Sequence, residues 1–133
     1  MKKTLLFTLL SSAVLFGFKV DTNKVYNCNI LGVSYKEGNQ TKSVAYNKAT
    51  KNVIDSALGD LVKIELHPIS SDEINITSGA DKSSVVYKHP WRGYDQYVTK
   101  QKDLIFMPDK NATSTNAALI VPRDKLIIFY DCK

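Results

Sequence analysis

Histidine is scarce in this chain. Only His67 and His89 occur, and neither stands in a metal-ligand spacing such as HExxH. GxSxG, Walker and GxGxxG patterns are missing too, which removes the common sequence marks of hydrolases, nucleotide binders and dinucleotide binders. Cysteine occurs twice, at Cys28 and Cys132, with no CxxC redox pair and too few ligands for a structural metal. No catalytic residue, cofactor or metal ligand is therefore assigned. Lysine and arginine are scattered under a formal charge of +5, without a basic block, so no nucleic-acid partner is expected. Long apolar runs are lacking as well. The longest, 5–18, holds about 14 residues and would span about 21 Å as a helix, short of the roughly 30 Å hydrocarbon core.

What that run does resemble is a secretory signal, because Lys2 and Lys3 precede it. Residues 1–17 are expected to be a signal peptide. Cleavage after 13 suits the small residues of "SSA", and cleavage after 17 suits the length. Residues 18–133 then form a single β-rich domain, exported to the periplasm and not membrane-spanning. A chain of 133 residues supports one modest core. Cys28 and Cys132 stand near the two ends of the mature chain, and in an oxidising compartment such a pair is expected to be a disulfide. It closes a loop of about 105 residues, for which chain entropy gives an upper figure of about 4–5 kcal/mol.

The dominant pattern has period two, the signature of strands with one buried face. Tyr26, Cys28 and Ile30 alternate with Asn27 and Asn29; the phase then slips at Gly32, which predicts a β-bulge. "KEGN" at 36–39 reads as a turn leading to a second strand through Val44 and Tyr46. One segment, about 48–58, is helical: Ala49, Val53, Ile54, Ala57, Leu58 and Leu61 recur at three and four, with Asn47 as cap and Gly59 as stop. Short strands follow around Ile64, Ile76, Val86, 94–99, 104–107, 117–121 and 126–130. The fold class is mainly β, a small antiparallel barrel or sandwich of about eight strands with one short helix. Ile128, Tyr130 and Cys132 share one face of the last strand, as Tyr26, Cys28 and Ile30 do of the first. A bridge would clamp those strands together and remove two sheet edges.

The densest functional stretch is "YKHPWRGYDQY" at 87–97. His89, Trp91, Arg92 and Tyr94 combine aromatic faces with a guanidinium, which suits recognition of a sugar, peptide or lipid headgroup. The competing expectation buries Trp91 among Tyr87, Phe106 and Phe129. Pro90 and Gly93 favour a turn.

Three glycosylation acceptors share a further feature. Asn39, Asn75 and Asn111 each head Asn-x-Ser/Thr, and each has an acid two residues earlier: Glu37, Glu73 and Asp109. With 13 acids in 133 residues, that coincidence arises by chance roughly once in a thousand. The pattern resembles the extended acceptor of bacterial N-glycosylation in epsilonproteobacteria such as Campylobacter. The resemblance implies a periplasmic oligosaccharyltransferase as partner, holding the acid with an arginine, as a charge-assisted pair would allow. Occupancy is expected in the order Asn111, Asn39, Asn75, because Asn111 lies in a polar loop after Pro108, Asn39 beside a tight turn and Asn75 within an alternating strand.

"YNCNI" at 26–30, a Cys in the last strand, "SGA" at 78–80 and a later aromatic-Gly segment resemble the periplasmic C-type lysozyme inhibitors (the MliC/PliC family). That family is a small β-barrel that inserts loops into the lysozyme cleft. Ser78, Gly79 and Gly93 match its loop motifs, while Lys82, His89 and Gln96 depart from them. The reading of the chain is a small periplasmic N-glycosylated protein that binds a periplasmic ligand or protein. A lysozyme inhibitor is the alternative, and a hydrolase the third.

Overall fold

The computed structural model describes residues 21–80, 82–110 and 114–133. The segment expected to be a signal peptide and Asn111 lie outside them. Among the described residues nine strands and one α-helix run β1 (Tyr26–Glu37), β2 (Gln40–Ala45), α1 (Lys51–Leu58), β3 (Lys63–Ser70), β4 (Glu73–Ser78), β5 (Lys82–Lys88), β6 (Tyr97–Val98), β7 (Ile105–Pro108), β8 (Asn116–Val121) and β9 (Leu126–Cys132). From β3 onward each strand pairs antiparallel with the next, and β9 pairs back onto β1. Eight strands thus close a barrel, and β2 is an extra strand on the upper part of β1. The barrel, rather than the sandwich, is the architecture.

β1 is one long strand that serves three neighbours. Its first residues pair with β3, its later ones with β2, and nearly its whole length with β9. The register shifts between Ile30 and Gly32, where the sequence pattern slips. The bulge returns Val33 to the interior after Ile30 and turns Leu31 out. A Cβ on Gly32 would lie 2.7 Å from the Val44 carbonyl oxygen, so the close approach of β2 requires glycine there. Gly38 has φ +64 and stands first in the two-residue turn to β2, the position where a primed hairpin turn needs positive φ.

The interior is filled from every wall. Ile64, Leu66, Ile74, Val86, Phe106, Leu119, Ile128 and Tyr130 are fully buried. Cys28 and Cys132 stand directly opposite each other on β1 and β9 and are bridged, with Cα atoms 3.9 Å apart. Tyr130 donates its hydroxyl proton to the Leu61 carbonyl at 2.5 Å, which satisfies a phenol that burial has pushed far above its ordinary pKa.

The helix closes one end of the barrel. Asn47 Oδ1 accepts from the Ala49 and Thr50 amides, at 2.9 and 3.1 Å, as a capping side chain does, although regular helix begins only at Lys51. Gly59 ends it with φ +57. Ile54 is buried, and Leu58, Leu61 and Val62 pack against the core. Val53, from the same apolar stripe, stays 73% exposed, because so short a helix rests on the barrel along one line only. Val62 closes a 3-10 turn directly ahead of β3. Tyr46 lies just beyond β2, where its hydroxyl donates to Asp55 at 2.7 Å; Lys51 donates to the same carboxylate at 2.7 Å. These two hydrogen bonds, Lys51 first, hold the Asp55 carboxyl below its ordinary range.

Candidate binding surface

Between β5 and β6 the chain leaves the wall as a small hairpin at 89–96. The His89 amide donates to the Gln96 carbonyl at 2.6 Å, and Trp91 and Tyr94 exchange backbone hydrogen bonds at 3.1 and 2.9 Å. Only Arg92 and Gly93 remain in the loop, with φ +49 and +80. Positive φ at both central residues is the type I′ turn, whose favoured sequence is Asn-Gly or Asp-Gly. Arginine at the first position costs roughly 1 kcal/mol in backbone terms. A segment expected to be strand from Tyr94 onward is strand only at Tyr97–Val98, because Tyr94 is used in closing this turn.

The hairpin aligns its polar and aromatic groups. The Arg92 guanidinium lies 4.8 Å from the Trp91 ring centre. The Trp91 and Tyr94 rings are 6.5 Å apart, and Lys110 Nζ lies 4.8 Å from the Tyr94 ring. Arg92, Trp91 and Tyr94 of the hairpin and Lys110 from beyond β7 thus alternate cation, indole, phenol and cation, held by ring-quadrupole attraction. Trp91 is 47% exposed, so it is not buried among Tyr87, Phe106 and Phe129. Of those three, Phe106 is fully interior and Phe129 faces outward. His89 lends its backbone to the hairpin, and its ring lines a groove with Trp91, Tyr87 and Val98.

The hairpin borders a surface that strand periodicity alone did not reveal. Outward positions on β6–β9 include Val98, Ile105, Met107, Ala118, Ile120, Ile127 and Phe129. Cross-strand pairing sets Val98, Ile105, Ile120 and Ile127 in one row, and Met107, Ala118 and Phe129 in the next. Phe129 is 41% exposed, and neighbouring Leu31 is 44% exposed. Leu31, Tyr94, Met107, Ala118 and Phe129 line a groove of about 540 Å³. The signal lay in "AALIV" and "LIIFY", runs too continuous for a wall with one wet face.

The remaining expected residues are dispersed. Ser78 ends β4 and Gly79 opens the turn to the start of β5, whereas Gly93 follows the far end of β5. A seven-residue strand separates them, on the order of 20 Å. Gly79 has φ +66, and an added Cβ would lie 2.7 Å from the Asp60 carboxyl, so its glycine has a local structural reason. Asn39 is exposed in its hairpin turn, and Glu37 pairs with Lys42 at 3.2 Å. Asn75 lies mid-strand in β4 opposite His67 and Val85, and its Oδ1 is buried with no hydrogen-bond partner among the described residues. His67 meets Glu65 at 3.0 Å on the wet side of β3. Among the described residues no group of three or more His, Cys, Asp or Glu gathers as metal ligands would.

No protein family, curated protein or solved structure matches this chain.

Proposed function

We propose that this protein is an exported, periplasmic interaction module whose contact surface is the hairpin at 89–96. The observation that carries the reading is Trp91. A large aromatic side chain stands 47% exposed on a tight turn, with Arg92 stacked on it in a backbone conformation that arginine disfavours. Local folding gives no reason for Trp-Arg at that turn, whereas recognition uses both side chains as anchors. The disulfide supports an oxidising compartment. Ser78, Gly79 and Gly93 lie at opposite ends of β5, so a lysozyme inhibitor of this shape would have to use its two loops separately.

Trp91 is the only tryptophan, so its emission reads the site directly. Titrations with muropeptides, C-type lysozyme and lipid vesicles are expected to shift that emission for one class. Arg92→Gly is expected to weaken the response while the thermal midpoint holds or rises. Silence of Trp91 toward every class, with free quenching by acrylamide throughout, rejects the hairpin as a contact.

As a glycosylation substrate the protein is proposed to carry more glycan on Asn39 than on Asn75. An acceptor must enter the transferase as an irregular segment, and a turn leaves the fold more easily than a paired mid-strand residue. Glycopeptide mass spectrometry in a host with the bacterial transferase checks this. Glu37→Ala is expected to remove occupancy at Asn39 alone; unchanged occupancy rejects the role of the acid.

A further inference from the structure

We propose that the apolar outer wall of β6–β9 lies on an anionic lipid surface, with the hairpin at 89–96 at its edge. The proposal rests on the reading of that hairpin as a contact and names its partner. The centre of the patch is apolar: Ile105, Ile120, Ile127 and Met107 face outward half-buried, and Phe129 is exposed among them. Its border is aromatic, and each border ring carries a cation. Arg92 lies 4.8 Å from Trp91, Lys110 4.8 Å from Tyr94, and Lys100 5.5 Å from Tyr87. Aliphatic residues within, tyrosine and tryptophan at the margin, and lysine and arginine beside them match the layering of a bilayer interface.

Charge complementarity selects the occupant. Asp95 is paired with Lys88 at 3.8 Å, and Asp103 accepts from the Thr99 hydroxyl at 2.5 Å. Asp109 shares the first groove with Lys110, and Asp131, at the end of the wall, accepts from Thr115 and pairs with Lys133 at 3.3 Å. Arg92, Lys100 and Lys110 face outward along the rim toward headgroup phosphates. A second copy would bring the same cations against them. It would also present another convex wall, and two rigid cylinders touch along a line, whereas stable dimers bury on the order of 1,200–2,000 Å². A fluid surface deforms to fit a convex wall.

The contact is with the surface and does not span. A membrane-crossing barrel has apolar residues outward all the way round and strands of roughly 9–11 residues. Here β7 has four residues, and the outward side of β3–β4 carries Lys63, Glu65, His67, Glu73, Asn75 and Thr77.

The test is vesicle sedimentation of the mature, oxidised protein, with phosphatidylcholine alone and with phosphatidylcholine plus phosphatidylglycerol. Binding is expected with the anionic vesicles and is expected to weaken with salt. Lys100→Ala and Lys110→Ala should each reduce it about fivefold, and Phe129→Ser about tenfold. Lys63→Ala, which removes the same charge from the polar wall, should leave it unchanged. Leu31→Ser, in the same groove, serves as a second apolar variant should Phe129→Ser lose its fold. Equal losses for Lys63→Ala reduce the effect to net charge and overturn the proposal. So does absence of binding to either vesicle, or a dimer in sedimentation equilibrium that Phe129→Ser dissolves. A Trp91 response to muropeptide or lysozyme without vesicle binding overturns the lipid surface and leaves the hairpin reading standing. Vesicle binding with Trp91 unmoved removes the hairpin from the contact and overturns both that reading and the proposal.

Discussion

Two walls of one barrel have the same inside and opposite outsides. β3 and β4 bury Ile64, Leu66, Ile74 and Ile76, and turn out Lys63, Glu65, His67, Glu73, Asn75 and Thr77. β7, β8 and β9 bury Phe106, Leu119, Ile128 and Tyr130, and turn out Ile105, Met107, Ala118, Ile120, Ile127 and Phe129. Core formation explains only the inward set. Ile105, Ile120 and Ile127 are half-buried and Phe129 is exposed, so the second wall keeps an apolar outer face where the first keeps a polar one.

The comparison is sharpest where it spans both walls. The Cys28–Cys132 bridge ties β9 of the apolar wall to β1, across a sequence separation of 104. Replacing both cysteines by serine is expected to cost up to about 4–5 kcal/mol, read from denaturant midpoints. A loss below about 1 kcal/mol would mean that the closed ladder alone holds the ends. Next come the buried sets, which should behave alike. Phe106→Ala should cost about 3–5 kcal/mol and Ile64→Ala about 2–5 kcal/mol. Outward residues should separate from them: Phe129→Ser is expected to stay within about 1 kcal/mol while raising the concentration at which the protein remains soluble. A loss as large as that of Phe106→Ala would place Phe129 in the core and end the distinction between the two faces.

Alkaline titration probes the inside of the apolar wall. Tyr97 is pushed from 10.0 to about 12, chiefly by burial and then by the charges of Asp95 and Asp72. A folded pKa above the unfolded value means that the fold favours the neutral phenol. That stability is complete below about pH 10 and is lost as pH rises from 10 towards 12. Ultraviolet titration is expected to show Tyr97 and Tyr130 ionising only above the ordinary tyrosine range and with loss of structure; their ionisation near pH 10 in the folded protein contradicts this. The smallest effect belongs to the rim. Trp91→Ala should change stability by no more than about half a kcal/mol, and a large loss of thermal midpoint would return Trp91 to the core.

Much of the barrel was legible residue by residue. The Gly32 phase slip is the bulge, Gly38 the first residue of a two-residue turn, Gly59 the helix stop, and Cys28 opposite Cys132 the closure. Less legible was the small hairpin, because Trp-Arg-Gly-Tyr carries no Asn-Gly or Asp-Gly signal, and Tyr94 looked like a strand residue. Ser78, Gly79 and Gly93 matched loop motifs only, and their places near the two ends of β5 follow from strand pairing that short motifs do not carry.

By itself, the sequence determined the periodicity, and with it which residues of each strand face together, since alternation is a local property of extended backbone. It determined most of the turns for the same local reason, and the cysteine pair because only two cysteines are there to join. The tertiary structure alone decided which face of an all-apolar run such as "LIIFY" points inward. Both faces of that run are hydrophobic, so only closure of β9 onto β1 buries Ile128 and Tyr130 and leaves Ile127 and Phe129 outside. It also decided that Met107, Ala118 and Phe129, scattered along the chain, form one row, because register between strands is set by pairing and not by sequence distance.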